Sequence, residues 1–183
     1  RIRFSYSEAF RAPKAWDYTD GIGNPALLPE KMKSFESGLF VSAFDNLNID
    51  MVVYSNILEN SINREIVGNS YRWVNRGKIN VKGMELFLRY ETGKINSSVG
   101  YTLNNSEDAF GNHIDEISRH SGNGSVIYSF SDKVKMNIRA SYIGKRNNPV
   151  VVSAINSREL GPYLIFNGTL SLLDIKGMNI RLI

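Results

Sequence analysis

Strict alternation of apolar and polar residues is the dominant pattern along the chain. In residues 47–54, Leu47, Ile49 and Met51 alternate with Asn48 and Asp50. A period of two places alternate side chains on opposite faces of a β-strand. The same alternation recurs in residues 84–90, 95–104, 126–130, 134–142 and 164–172, and helical periodicity is hard to find. The pattern predicts an all-β fold, an antiparallel up-and-down meander of about nine strands.

The predicted connections between strands alternate in length. Longer polar or irregular stretches cover residues 10–30, 60–71, 106–121 and 147–162, and short turns fall at Asp45-Asn46, Gly93-Lys94, Ser131-Asp132-Lys133 and Lys176-Gly177. In a meander this order puts the short turns at one end of the sheet and the long loops at the other. Transmembrane β-barrels have this asymmetry, whereas the loops of a soluble sandwich need not be sorted by end. The connections therefore favour a membrane barrel.

The two faces of the predicted sheet differ in chemistry. One carries Ile, Leu, Val, Met, Phe and Tyr, and the other Asn, Ser, Thr, Gly, Lys, Arg and Glu. A membrane barrel and a soluble sandwich are both compatible with this division. Aromatic residues near strand ends favour the barrel, because interfacial girdles lie at that level. The residues concerned are Tyr90, Tyr101, Tyr128 and Tyr142.

Composition narrows the choice of partners. The net charge is +4, but the basic residues are scattered, so we predict no nucleic-acid partner. The absence of cysteine excludes disulfides and thiolate metal sites, and two histidines, His113 and His120, are a poor basis for a His-built metal centre. We therefore predict no resident cofactor or metal.

The chain lacks an initiating Met and both of its ends fall inside alternating runs, so we expect a fragment of a longer protein.

A proline-rich segment, residues 10–38, contains the first long connection and runs into the second predicted strand, residues 33–43. It contains three of the five prolines. Proline fixes φ and has no N–H for a strand ladder, so we predict a long ordered loop here.

Short motifs follow one another along nearly the whole chain: Phe10-Arg11-Ala12-Pro13, Asn24-Pro25-x-Leu27-x-Pro29-Glu30, Ser34-x-Glu36-x-Gly38, Tyr54-x-Asn56, Val74-Asn75-x-Gly77, Gly83-x-Glu85 and Tyr101-Thr102. In this order and approximate spacing they resemble one family, the C-terminal barrel half of TonB-dependent outer-membrane receptors. A departure lies at Ile117-Ser118-Arg119-His120, where that family usually has prolines ahead of the histidine.

The resemblance implies a transporter in the outer membrane of a Gram-negative bacterium. Residues 1–183 would be a partial C-terminal β-barrel domain of a 22-stranded barrel, with the plug domain and the remaining strands absent. The implied partners are TonB, acting through the missing N-terminal region, the outer-membrane lipid and a scarce nutrient. Phe-Arg-Ala-Pro resembles siderophore receptors more than glycan importers, so we expect a ferric siderophore, with haem, cobalamin or a glycan left open.

Candidate ligand-binding residues lie in the first two long connections. Arg beside Trp or Tyr suits an anionic, aromatic ferric chelate through charge and stacking. The primary candidates are Arg11, Trp16, Tyr18, Arg72 and Trp73, with Lys14, Arg64 and Tyr71 nearby. His113 is a candidate ligand for haem iron, although a lone loop histidine is more often solvated.

Two other classes of protein compete with the receptor. A soluble or surface β-sheet module, such as a carbohydrate-binding sandwich, would use Trp16 and Trp73 as stacking platforms. An enzyme is disfavoured, because no nucleophile elbow, phosphate loop, metal spacing or convergent carboxylate pair accompanies the two histidines.

The assignment of faces is testable in the full-length protein. Leu86→Arg places a charge on the predicted lipid face, and Asn137→Arg places the same charge on the polar face. An arginine at mid-membrane costs ~2–4 kcal/mol on the lipid side. We expect Leu86→Arg to reduce the yield of heat-resistant folded barrel far more than Asn137→Arg; equal losses would contradict the assignment.

Overall fold

Nine antiparallel strands form one sheet in the computed structural model, which describes residues 1–114, 117–147, 159–175 and 178–182. Neighbours in the chain are neighbours in the sheet, so the predicted meander is confirmed. The strands of this sheet are β1 (Ile2–Arg11), β2 (Glu30–Ser42), β3 (Leu47–Val67), β4 (Ser70–Glu91), β5 (Ile95–Glu107), β6 (His120–Ser129), β7 (Val134–Ile143), β10 (Tyr163–Ile175) and β11 (Met178–Leu182). A separate two-stranded ladder joins β8 (Arg146–Asn147) to β9 (Glu159–Leu160).

The cross-strand register aligns the apolar positions of successive strands. One row runs across eight strands and is apolar at every position except Gly122: Ile2, Leu39, Met51, Leu86, Tyr101, Gly122, Tyr142 and Leu164. A row of opposite parity is entirely polar: Ser42, Asn48, Arg89, Ser98, Ser125, Arg139 and Asn167. Directly paired residues share a face. The sheet therefore has a continuous apolar face and a continuous polar face.

The four tyrosines predicted to form girdles lie on the apolar face at two levels. Tyr90 and Tyr128 are next to the last residues of β4 and β6, at the end of the sheet with short turns. Tyr101 and Tyr142 are both opposite Gly122, towards the other end. Two levels of tyrosine with aliphatic residues between them are typical of a membrane-spanning wall.

The prediction of a second long connection at residues 60–71 was wrong. β3 and β4 stay paired as far as Val67 and Ser70, so only a two-residue turn at Gly68-Asn69 joins them. Gly68 adopts φ +65°, which glycine tolerates. The polar sequence of this segment predicts a loop, but cross-strand pairing extends beyond the apolar band. We call residues 60–77 the outer hairpin, and the end of the sheet that carries it the outer end.

The outer hairpin begins at a break in regular strand conformation. Asn60 and Gly77 have φ of +57° and +29°. The register is the same on both sides of them, from Glu59 opposite Lys78 to Ser61 opposite Arg76. No residue is inserted in either strand, so the break at Asn60 and Gly77 bends the hairpin without shifting its register.

The remaining connections follow the predicted order where they are described. Residues 43–46, 92–94 and 130–133 form short turns, whereas residues 12–29, and residues 108–114 with 117–119, belong to longer connections at the outer end. The predicted turn at Lys176-Gly177 and most of the fourth long connection lie outside the described residues. A five-residue helix, α1 (Ala15–Thr19), lies in the first connection and was not expected from the sequence. No helix in the described ranges is long and apolar enough to cross a membrane.

Candidate functional site

The first loop (residues 12–29) is fastened to the outer hairpin by the side chain of Asn75. The Leu28 N–H donates to Asn75 Oδ1 at 2.8 Å, and Asn75 Nδ2 donates to the Leu28 carbonyl at 2.9 Å. The same Nδ2 donates to the Asn60 carbonyl at 2.8 Å. The carboxamide thus offers Leu28 one acceptor and one donor, as a neighbouring strand would.

A second contact joins the loop to the hairpin at Trp73. The Trp73 N–H donates to the Ile22 carbonyl at 3.1 Å, and Asn24 Nδ2 donates to the Trp73 carbonyl at 2.8 Å. Asn24 Oδ1 accepts the N–H of Ala26 at 3.1 Å, which forms a local turn within the loop. The loop therefore extends the β4 edge with both backbone and side-chain hydrogen bonds.

Glu30 links the end of the loop to both neighbouring strands. Its Oε1 accepts the N–H of Ile62 at 2.7 Å, and its Oε2 lies 2.6 Å from Nε of Arg11. The Glu30 side chain is 12% exposed and that of Arg11 is 49% exposed. One carboxylate therefore holds the strand before the loop and the hairpin beyond it.

Apolar burial accompanies these hydrogen bonds. Leu27 and Ile62 are 5% and 7% exposed, and they are the buried hydrophobic residues of the part of the chain that the structure describes. Buried Asp17 orders the start of α1, because its Oδ2 accepts the N–H of Lys14 at 2.8 Å. Gly23 allows the loop to turn back, since a Cβ there would lie 2.5 Å from the Tyr18 carbonyl group. Few residues carry the packing of this loop.

The docked loop lies on the polar face of the sheet. Glu30 has the same parity along β2 as Ser34, Glu36 and Ser42, which belong to that face. On the same face, Arg3 extends over Gly38 to Asp50, with Nη2 and Oδ1 3.2 Å apart. The loop therefore covers the outer end of the polar face rather than the apolar one.

Cationic and aromatic side chains cluster on the loop side of the hairpin. Arg64 is paired with Trp73, and its guanidinium lies 4.9 Å from the centre of the Tyr71 ring. On the loop itself, Lys14 Nζ lies 5.0 Å from the centre of the Trp16 ring. Such pairs suit ligands that combine negative charge with flat rings.

The structure separates the five primary candidates. Arg11 is paired with Glu30, Trp16 is 55% exposed on α1, and Tyr18 is half-buried in the same helix. Trp73 meets the loop through its backbone, and its indole Nε1 is buried without a hydrogen-bond partner among the described residues. Arg72 is exposed and lies on the opposite face of the hairpin from Trp73, because adjacent residues of a strand point to opposite faces. Ligand contact by any of them stays a prediction.

Sequence reasoning missed the roles of Asn24, Glu30 and Asn75. All three belong to the motifs that carry the family resemblance, so a signal was present. It did not reveal that the two motifs contact each other, because they are about fifty residues apart and meet through the register of β3 with β4.

The loop between β5 and β6 is ordered by Asp108 and His113. Asp108 Oδ1 accepts the N–H groups of Phe110 and Asn112 at 2.8 and 2.9 Å. His113 Nδ1 lies 2.9 Å from the Ser106 carbonyl oxygen, and its Nε2 lies 2.9 Å from that of Ile117. Both ring nitrogens of His113 thus lie against backbone carbonyl oxygens, and neither is directed at a haem iron in this conformation.

An open antiparallel wall with one apolar face, one polar face and a loop docked at its outer end is the wall of an outer-membrane β-barrel. The family described as "TonB dependent receptor-like, beta-barrel" matches residues 1–182, and the chain belongs to it. Members of this family are outer-membrane receptors and transporters of Gram-negative bacteria, and the predicted localisation is confirmed. The apolar face is therefore the lipid side and the polar face the lumen side.

Relatives differ in the nutrient that their names give. The vitamin B12 transporter BtuB of Vibrio cholerae serotype O1 is 27% identical over 146 residues, which are 79% of this chain and 23% of BtuB. A mutant of the ferric enterobactin receptor PfeA from Pseudomonas aeruginosa, solved with enterobactin, superposes with a TM-score of 0.81 at 18% identity, covering 98% of this chain and 32% of PfeA. The copper transporter OprC superposes with a TM-score of 0.77 at 14% identity, covering 98% of this chain and 30% of OprC. The chain thus spans about a quarter to a third of the proteins it matches.

Asn75→Ala is expected to loosen the first loop without unfolding the wall. The substitution removes three hydrogen bonds, and because water reaches exposed Leu28 we expect a net loss of ~1–2 kcal/mol in docking. Trypsin should then cut after Lys14 about tenfold faster in the folded receptor. Asn96→Ala is the matched control, an exposed strand asparagine with no side-chain hydrogen bond within the described ranges. Equal cleavage of both variants would contradict the role of Asn75.

The loop between β5 and β6 is expected to open in acid. The Asn112 N–H is the main reason that the pKa of Asp108 lies below its ordinary value; burial opposes this, and the Asn112 side chain, the Phe110 N–H and the Arg76 charge support it. A lowered pKa in the ordered loop means that ionised Asp108 stabilises it above about pH 5, and that this contribution is lost as the pH falls through the lowered pKa. A spin label at Phe110 should become mobile over that range, and in Asp108→Asn it should be mobile already at neutral pH. A label whose mobility changes neither with the fall in pH nor in Asp108→Asn would contradict this role of Asp108.

Proposed function

We propose that this chain is part of a TonB-dependent receptor that imports a ferric siderophore. In this proposal residues 1–183 are part of the C-terminal half of the barrel, and the plug and the segment that contacts TonB lie elsewhere in the longer protein. The observation that carries the proposal is the Arg64, Tyr71 and Trp73 cluster on the lumen side of the outer hairpin, next to the docked first loop.

The chemistry of this cluster matches an anionic, aromatic iron chelate. A guanidinium stacked on a phenol ring keeps its N–H groups free for carboxylate or catecholate oxygens while the ring plane is shielded on one side. Trp73 adds a second aromatic surface, and its indole N–H lacks a partner within the described ranges.

The first loop supplies the other side of the proposed site. It lies on the lumen face, is fixed by Asn75 and Glu30, and carries Lys14 stacked on Trp16. Holding these groups before the ligand arrives lowers the entropy that binding must offset. Arg11 is engaged with Glu30, so in this proposal it positions the loop and does not need to contact the ligand.

A relative named for enterobactin supports a siderophore as the imported nutrient. Vitamin B12 and copper, for which other relatives are named, are the competing ligands. Cobalamin is large and bears many amides, so its binding would depend less on a cation stacked on an aromatic ring. The two ligands therefore make different demands on Arg64.

The proposal is tested by titrating the full-length receptor with ferric enterobactin and with cyanocobalamin, following tryptophan fluorescence. Arg64→Gln should weaken ferric enterobactin by about tenfold, the upper range of a desolvated cation–π contact with an added charge. Arg72→Gln is the matched control on the opposite face of the same hairpin, and it should change binding little.

Two outcomes would count against the proposal. Saturable binding of cyanocobalamin without binding of ferric enterobactin would replace the siderophore while leaving the transporter family intact. A loss in Arg72→Gln that equals the loss in Arg64→Gln would show that general charge, and not the stacked cluster, attracts the chelate.

A further inference from the structure

A basic recess of about 580 Å³ lies at the outer rim of the wall, where β6 begins and β7 ends. Its volume falls within the range of about 300–1,000 Å³ that small-molecule sites occupy. Among the described lining residues, three carry a formal positive charge: Arg119, Lys145 and Arg146. The carboxylate among them is Glu159, whose Oε2 lies 3.0 Å from Lys145 Nζ. The recess therefore has an excess of positive charge.

The strand register places Arg119 on the lumen face of the wall. The Asn104 N–H donates to the Arg119 carbonyl at 2.8 Å, so the two residues lie opposite each other. Asn104 has the same parity along β5 as Ser98, a member of the polar row. Directly opposite residues share a face. Arg119 is exposed there and makes no ion pair with any residue that the structure describes.

Arg146 reaches the same face through its contact with Tyr163. Tyr163 is paired with Ile143, which has the same parity along β7 as Arg139 of the polar row. The Arg146 guanidinium lies 5.5 Å from the centre of the Tyr163 ring. Its Nη1 is buried and has no hydrogen-bond partner in the part of the chain that the structure describes. A stacked guanidinium with an unpaired donor suits a carboxylate, because its planar N–H fork matches two carboxylate oxygens.

The other walls of the recess carry rings. His120, Tyr142 and Pro162 also line it, and the first two belong to the lipid face, so the recess crosses the rim of the wall. A bare inorganic anion, only a few times the roughly 30 Å³ share of a water molecule, would leave most of the recess empty. The volume and the rings therefore indicate an anionic group that is carried on an organic molecule.

We propose that this recess binds a carboxylate group of a small organic molecule that enters from the lumen side of the rim. The guanidinium groups of Arg119 and Arg146 donate to the carboxylate oxygens, and the lining rings contact the carbon skeleton. Lys145 contributes less, because its charge is offset by Glu159. The two arginines therefore carry the recognition of the anion.

The register separates this recess from the Arg64 cluster on the outer hairpin. Asn104, opposite Arg119, is paired on its other side with Gly83 of β4. Gly83 and Trp73 are ten residues apart in β4, and ten strand residues correspond to roughly 33 Å of strand. The two sites therefore lie at different levels of the wall. Binding in the recess goes beyond the proposed siderophore function and does not depend on it.

The test titrates the full-length receptor in detergent with tricarballylate, a metal-free tricarboxylate, by isothermal titration calorimetry at low ionic strength. We expect saturable binding that is at least about tenfold weaker in the double variant Arg119→Gln/Arg146→Gln, because charge-assisted hydrogen bonds to the carboxylate are lost. Arg119→Gln alone, at an exposed side chain, should weaken binding in the same direction and serves if the double variant folds poorly. Arg139→Gln, an exposed lumen-face arginine of β7, is the matched control and should bind as the unaltered receptor does.

Three results would overturn the proposal. The first is the absence of saturable tricarballylate binding to the unaltered receptor. The second is a loss of binding in Arg139→Gln that equals the loss in the double variant, because general lumen charge would then attract the ligand. Inorganic phosphate is the comparison arm. Phosphate binding as tight as that of tricarballylate, and equally lost in the double variant, would assign the recess to a bare anion.

Discussion

The hydrogen-bond ladder of the nine strands is the constraint on which the rest of the structure depends. Within hydrocarbon a backbone N–H or C=O has no water to bond, so strands must pair with one another. Pairing fixes the register, and the register assigns each side chain to one face because alternate residues point in opposite directions. The same ladder that places Leu86 against lipid also places Glu30 and Asn75 where the first loop can meet them.

β3 and β4 extend beyond the apolar band, and their outer part forms the surface on which the first loop docks. Outside the hydrocarbon the strands no longer need an apolar face, and Asn, Arg and Glu occupy positions that still pair across the hairpin. The hairpin then offers an edge to which the first loop bonds through Asn24, Asn75 and Glu30. Three residues of the family motifs, Asn24, Glu30 and Asn75, therefore hold the loop.

Much of the fold was predictable, because period-two alternation and short turns are local signals. About nine strands in meander order and their two faces follow from such signals, as in residues 84–90, 95–104, 134–142 and 164–172. The outer hairpin was missed, since polar strands beyond the membrane lack apolar alternation. Helix α1 was missed because five residues held by the Asp17 side chain and by docking give no periodic pattern.

The candidate site was predictable in composition but not in arrangement. Trp73 and Arg64 were recognisable as aromatic and cationic residues near the outer end, yet their shared face depends on a register that runs through the bend at Asn60 and Gly77. Arg72 lies on the other face of the hairpin for the same reason, since the register through the bend sets the face of each residue beyond it. Contacts across about fifty residues, such as Asn75 with Leu28, follow from tertiary structure and have no local sequence signal.

The central claim is that the loop docked on the outer hairpin forms the nutrient site on the lumen face. An experimental structure of the full-length receptor with ferric enterobactin tests it most directly. The account predicts the chelate within about 4 Å of Arg64, Tyr71 or Trp73, with Leu28 still bonded to Asn75. A chelate bound away from the outer hairpin, or a first loop detached from Asn75 in the bound state, would contradict it.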